Sequence, residues 1–164
     1  LLHVFAHYQK TIEPKSRLIH VGSHAGSERY YSLLTTTVRE LELNNVMFCG
    51  TLSQPALNTC YASADAFLCM SEHEGFCIPL IESMQHEIPI LAHASAAVPE
   101  TLGGCGVLLS ERRYDLAAEL LNQLIQNAPL REAVIAQQSK RVDRYRQRNL
   151  EAELRQHLTP VLPA

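Results

Sequence analysis

No Cys-x-x-Cys pair occurs among the five cysteines of this chain, Cys49, Cys60, Cys69, Cys77 and Cys105, and their number is odd. A disulfide framework is therefore not expected, and neither is a zinc site of the usual spacing. Stretches such as VMFCG and AFLCM instead suggest thiols buried in a reducing cytoplasm. No apolar run approaches the roughly 18 residues that cross a bilayer. The first residues lack the charged start and long apolar core of a signal peptide. A net charge of −3 leaves no basic footprint for nucleic acid. Internal repeats and low-complexity linkers are absent too.

What is present is ordinary. Hydrophobic residues make up 46% and charged residues 19%, which excludes a disordered tail. At 164 residues the chain has room for one domain with a real core, but not comfortably for two.

The apolar pattern alternates between helical and strand-like stretches. Leu1, Phe5, Tyr8 and Ile12 recur at helical spacing until Pro14 stops them. RLIHVGS (Arg17–Ser23) reads as a buried strand, followed by an amphipathic helix over Ser27–Leu43. Asn45–Gly50 is the next strand, Gln54–Ala62 a short helix, and Asp65–Ser71 a third strand. Ile88–Ala94 and Gly106–Leu109 are two more, separated by a short helix at Pro99. From Tyr114 the chain is helical, ending in an amphipathic segment over Asn149–Leu162. Such alternation predicts an α/β domain, a Rossmann-like doubly wound parallel sheet with helices on both faces. Ligands of such sheets bind beyond the carboxyl ends of the strands.

The stretch SEHEGFCIPLIES lies on that edge. Gly75 and Pro79 interrupt any long helix, so the pattern predicts a loop carrying Glu74 and a helix starting near Cys77 to Pro79, with Glu82 about one turn inside. A helix N-terminus offers unpaired N–H groups and a partial positive charge to an anion. Glu82 can accept two hydroxyl hydrogen bonds, as an acid that reads a ribose diol does. Glu74 offers a second carboxylate to a polyhydroxylated group. A nucleotide-sugar suits the set. A plainer reading makes Glu74 a solvated loop acid and Glu82 a partner of the helix dipole, and the pattern alone leaves both open.

The run SEHEGFCIPLIESMQHEIPILAHASAAVPETLGGCGVLL resembles the donor-site signature of retaining GT-B glycosyltransferases of the E-x7-E type (group 1, family 4). RLIHVGSHAGSERYYSLL and NNVMFCGTLSQPALNTCYASADAFLCMSEHEGF fit the same family in the same order. The resemblance implies a donor-binding domain over residues 1–164, a fragment lacking its first strand and an N-terminal acceptor domain. It implies that Glu74 contacts the transferred sugar as the catalytic-site acid, that Gly75, Phe76 and Cys77 approach sugar and diphosphate through their N–H groups, and that Glu82 holds the ribose. Gly22 and the Gly50, Thr51, Leu52 and Ser53 loop would flank the nucleoside. Cys77 departs from the family, where a small residue, often glycine, is usual. An Arg and a Lys that neutralise the diphosphate would precede Leu1. The fragment alone would then be inactive.

The same resemblance implies a hexosyltransferase that needs no cofactor and no metal. Its donor would be a UDP- or GDP-sugar and its acceptor a glycan or glycolipid. It would work in the cytoplasm, with the full-length protein at the inner face of the membrane. A nucleotide-sugar epimerase of the same fold, or a non-catalytic Rossmann-like binding module, would share much of this pattern. Other features read plainly. His3 and His7 have an i, i+4 spacing but no third ligand. GSHAGS (Gly22–Ser27) lacks the lysine of a phosphate-binding P-loop and reads as a strand-to-helix turn.

Overall fold

The computed structural model describes residues 1–159. Along them run α1 (Leu2–Thr11), β1 (Leu18–His20), α2 (Glu28–Glu40), β2 (Val46–Phe48), α3 (Gln54–Ala62), β3 (Phe67–Cys69) and α4 (Ile78–Gln85). There follow β4 (Ile90–His93), α5 (Val98–Leu102), β5 (Val107–Leu109), α6 (Tyr114–Gln126), α7 (Ala128–Arg146) and α8 (Leu150–Leu158). The predicted order is the observed one. Residues 160–162 of the segment predicted over Asn149–Leu162 lie outside the described residues.

Helix starts follow from local chemistry. α3, α4, α5 and α7 each carry a proline in the first turn, where its missing N–H goes unneeded. The side chain of Asn127 accepts from the Leu130 N–H at the start of α7, and that of Asn149 from the Ala152 N–H at the start of α8. Strands are shorter than their apolar runs. Pairing holds for only three or four residues before the backbone turns out into the rim loops.

All strand pairs are parallel, but they form two ladders. Leu18 lies opposite Val46 in β1–β2, while Leu68 lies opposite Leu91, and Leu91 opposite Val107, in β3–β4–β5. No ladder joins β1 to β3 among the described residues. Helix α1 spans the interruption: Val4 and Tyr8 pack with Leu91 and Leu109, while Leu2 and Phe5 pack with Leu18 and Val46.

The three-stranded ladder is covered on both faces. Ile90 and Ala92 point into a cluster with Leu80, Met84 and Leu102, and Leu91 points the other way into one with Ala117 and Leu124. Fully burying a leucine contributes about 1.5–3 kcal/mol, so this ladder holds the stable part of the core. Cover of the two-stranded ladder is one-sided. Ile19 and Met47 are 39% and 50% exposed, so among the described residues the flanking helices cover this ladder less fully than β3–β5.

One buried polar residue fixes β4. Gln138 of α7 is fully buried, accepts from the Ile90 N–H at 3.0 Å and donates to the Ile88 carbonyl at 2.7 Å. These bonds tie α7 to the strand that anchors the rim loops.

Candidate functional site

Parallel strands put their carboxyl ends at one rim, and the chain leaving β3 builds the site there. From Cys69 it runs through Ser71–Phe76 to Cys77, the N-cap of α4, in a left-handed conformation with φ 63° and ψ 66°. The loop is fastened from α5 and the turn before it. Ser95 Oγ donates to the Glu72 carbonyl at 2.5 Å, and Thr101 Oγ1 to the Phe76 carbonyl at 2.6 Å. The Phe76 ring meets Tyr145 edge-on at 5.7 Å. An ion pair of 2.6 Å links Glu72 to Arg112, but both ends are about half exposed and such pairs contribute little.

Helix α4 begins at Ile78, within the predicted window, and Glu82 is its fifth residue. The Gly75, Phe76 and Cys77 N–H groups ahead of it donate to no acceptor among the described residues. Consecutive unspent donors ahead of a helix N-terminus are the kind of arrangement that can receive an anion.

Glu74 is half-buried on the loop. Glu82 is half-buried and oriented: Tyr61 Oη of α3 donates to its Oε2 at 2.9 Å. Burial first, and then the Glu82 carboxylate, push the Tyr61 hydroxyl well above the usual tyrosine range, so it remains a donor. The Tyr61 ring stacks on His86 at 5.1 Å. This bond occupies one oxygen of Glu82, while Oε1 accepts no hydrogen bond among the described residues. Tyr61 escaped the sequence reading because it shares an apolar helix face with Leu57. Its signal was a hydroxyl on that face.

Gly22, Gly50, Thr51, Leu52 and Ser53 gather at the ends of β1 and β2. The Gly22 N–H donates to the Gly50 carbonyl at 3.0 Å, and Gly50 has φ 63°, which glycine adopts without strain. His24 stacks on Tyr31 at 4.1 Å, and a β-carbon on Gly50 would sit 3.8 Å from its Nε2. Burial, then His24, lower the pKa of His20. The predicted residues therefore fall into two groups, with no hydrogen bond between the Gly22–Gly50 turn and the Glu74 loop among the described residues. Tyr61, on the helix that leaves Ser53, ties the α3 side to the α4 side.

Behind the loop, Cys69 Sγ and Cys77 Sγ are 3.9 Å apart. Both thiols are buried, and a Glu74 carboxylate oxygen lies within 4.8 Å of each. Cys105 is buried as well, whereas Cys49 and Cys60 are only half-buried. The strand end and the helix cap thus bring together two thiols eight positions apart in the sequence, a spacing outside the Cys-x-x-Cys pattern.

The model of the family "Glycosyl transferases group 1" matches residues 1–141. The chain belongs to that family. O-antigen chain mannosyltransferase B of Escherichia coli is 26% identical over 91 residues, 56% of this chain and 24% of the relative. Among solved structures, Anabaena HepE in complex with UDP-glucose superposes with a TM-score of 0.73 at 23% identity, over 87% of this chain and 40% of HepE. TarM of S. aureus gives 0.75 at 18% identity, over 96% of this chain and 31% of TarM. The C-terminal domain of the Francisella tularensis group 1 protein LpcC gives 0.68 at 21%, covering 87% and 77% of the two chains. These likenesses show the fold. The chain spans about a quarter of the curated relative's length and under half of HepE and TarM. No helix among the described residues is long and apolar enough to cross a membrane.

Proposed function

We propose that this domain is the donor-binding half of a retaining glycosyltransferase, which moves a hexosyl group from a nucleoside-diphosphate sugar to a glycan or glycolipid hydroxyl. One observation carries the reading: three unspent N–H groups at the start of α4, with Glu74 before them and a Tyr61-held Glu82 behind. In this account the diphosphate docks on the Gly75–Cys77 amides, where the helix dipole stabilises the charge that builds up on the leaving group. Glu82 accepts from the ribose diol through Oε1. Glu74 accepts from hydroxyls of the sugar and fixes the reacting carbon. Gly22 and Gly50–Ser53 flank the nucleoside. The residues supply positioning and electrostatics without a cofactor or a metal.

Membership of the family supports this, as do HepE, solved with UDP-glucose, and the E. coli relative, named for O-antigen chain mannosyl transfer. A UDP-sugar fits these parallels most directly, and a GDP-sugar would use the same amides and acids. Such a donor places the enzyme in the cytoplasm, at the membrane's inner face when the acceptor is a glycolipid.

The same reading places one more parallel strand, from residues ahead of Leu1 in a longer protein, between β1 and β3. Each of these has a partner on one side only, and α1 already packs against both ladders. A right-handed crossover from that strand through α1 to β1 would complete the sheet. The strand and its following loop would bring the basic pair for the diphosphate, and a preceding domain would bind the acceptor.

The test is turnover of the full-length protein. UDP or GDP release from its sugar donor should require a glycan or glycolipid acceptor and should fall roughly a hundredfold in Glu74→Gln, the loss typical of removing one transition-state contact. Undiminished turnover in that variant would refute the role of Glu74.

A further inference from the structure

The donor reading uses the backbone of Cys77 but neither thiol of the Cys69–Cys77 pair. Their sulfurs are 3.9 Å apart, and Glu74 brings a carboxylate oxygen to within 4.8 Å of both. In a tetrahedral zinc site with Zn–S bonds of about 2.3 Å, the S–S edge is about 3.8 Å. The two sulfurs already stand at the separation one ion requires, whereas a disulfide would draw them to about 2 Å.

Cys77 itself sits in an unusual backbone conformation. With φ 63° it occupies the left-handed region, where a β-carbon costs about 1–2 kcal/mol. The thiol is held beside Cys69 against the local preference for glycine.

We propose that Cys69, Cys77 and Glu74 form a binding site for a thiophilic divalent cation of the zinc class, with its fourth position open to water. Binding releases the two thiol protons to solvent and forms two metal–sulfur bonds and one metal–oxygen bond. Because the ligands come from the end of β3, the rim loop and the cap of α4, the ion clamps the loop. It also takes the carboxylate that the sugar would use. The ion is then an inhibitor competing with the donor, not a cofactor. That consequence rests on the function proposed above, whereas the cation site does not.

The experiment titrates the metal-free, reduced protein with cobalt(II) alone. One equivalent should bind with thiolate-to-cobalt charge-transfer absorption, and zinc should bleach it. Cys77→Gly, the substitution this backbone accepts most readily, should abolish that absorption while circular dichroism shows an intact fold. Glu74→Gln should retain the absorption but weaken cobalt binding by at least roughly tenfold, the low end of what losing even an outer-shell partner costs. Absence of charge transfer in the wild type, or its survival in Cys77→Gly, would overturn the site. UDP-sugar titrations with and without zinc test the competition, and equal donor affinity in both would overturn it. If the metal-free full-length protein, which brings the basic pair, binds no UDP-sugar, the donor reading fails, while the cobalt spectra decide the cation site by themselves.

Discussion

Tyr61 Oη donates a 2.9 Å hydrogen bond to Glu82 Oε2 and joins α3 to α4 at the rim of the sheet. This bond orients an acid that would otherwise have a free rotamer choice. Tyr61→Phe keeps the ring and its stacking on His86 but removes the donor. UDP affinity should fall roughly two- to tenfold, matching the net 0.5–1.5 kcal/mol of one hydrogen bond. Calorimetric titration reads it. An unchanged affinity would mean that the bond is only structural.

The same tyrosine predicts an alkaline limb of stability. Its folded pKa is raised above the unfolded value of about 10, so the folded state holds a proton that the unfolded state has lost. Its contribution is complete below about pH 10 and is lost as the pH rises further, at up to about 1.4 kcal/mol per pH unit. Tyr8, also raised by burial, adds to the loss. Urea denaturation at stepped pH should show a shallower limb in Tyr61→Phe than in the wild type.

Element order, helix starts and the placing of Glu74 and Glu82 were legible in the sequence, because prolines, apolar periodicity and glycine act within a few residues of themselves. Long-range pairing was not. Nothing local in RLIHVGS or DAFLCMS says that β1 and β3 do not pair, or that Ile19 and Met47 remain uncovered. The Tyr61–Glu82 bond and the Cys69–Cys77 contact likewise depend on how turns bring distant residues together. Cys77 could be read as unusual in its motif, but its left-handed backbone could not.

Substitutions at Cys77 should report that backbone. Glycine suits φ 63° and alanine does not. Both remove the thiol from the core, so Cys77→Gly should be more stable than Cys77→Ala by about 1 kcal/mol. Thermal melts of the two variants provide the comparison, and a higher melting temperature for alanine would contradict the left-handed assignment.

Gln138 makes a sharper stability prediction. Its side chain satisfies the Ile90 N–H and the Ile88 carbonyl inside the core. Gln138→Leu fills similar space but orphans both groups, and each unsatisfied group costs about 1–3 kcal/mol. Urea denaturation should show a loss of about 2–5 kcal/mol. A loss under 1 kcal/mol would mean that the strand finds other partners.

Gly103 should resist substitution for two reasons. It ends α5 with φ 57°, and a β-carbon there would lie 2.5 Å from the Arg141 guanidinium carbon. That guanidinium donates to the Thr101 and Glu100 carbonyls. Gly103→Ala should therefore lower the melting temperature and also loosen α5, whose Thr101 holds the Phe76 carbonyl.

The central claim is that Glu82 reads the ribose of a nucleotide docked on the amides of α4, and a binding cycle tests it most directly. UDP and 2′,3′-dideoxy-UDP are titrated calorimetrically into the wild-type protein and Glu82→Ala. UDP should lose about 1.5–3 kcal/mol of affinity in the variant, as expected for hydrogen bonds to a charged group, while the dideoxy analogue binds both proteins alike. Equal losses for the two ligands, or none for UDP, would contradict the account.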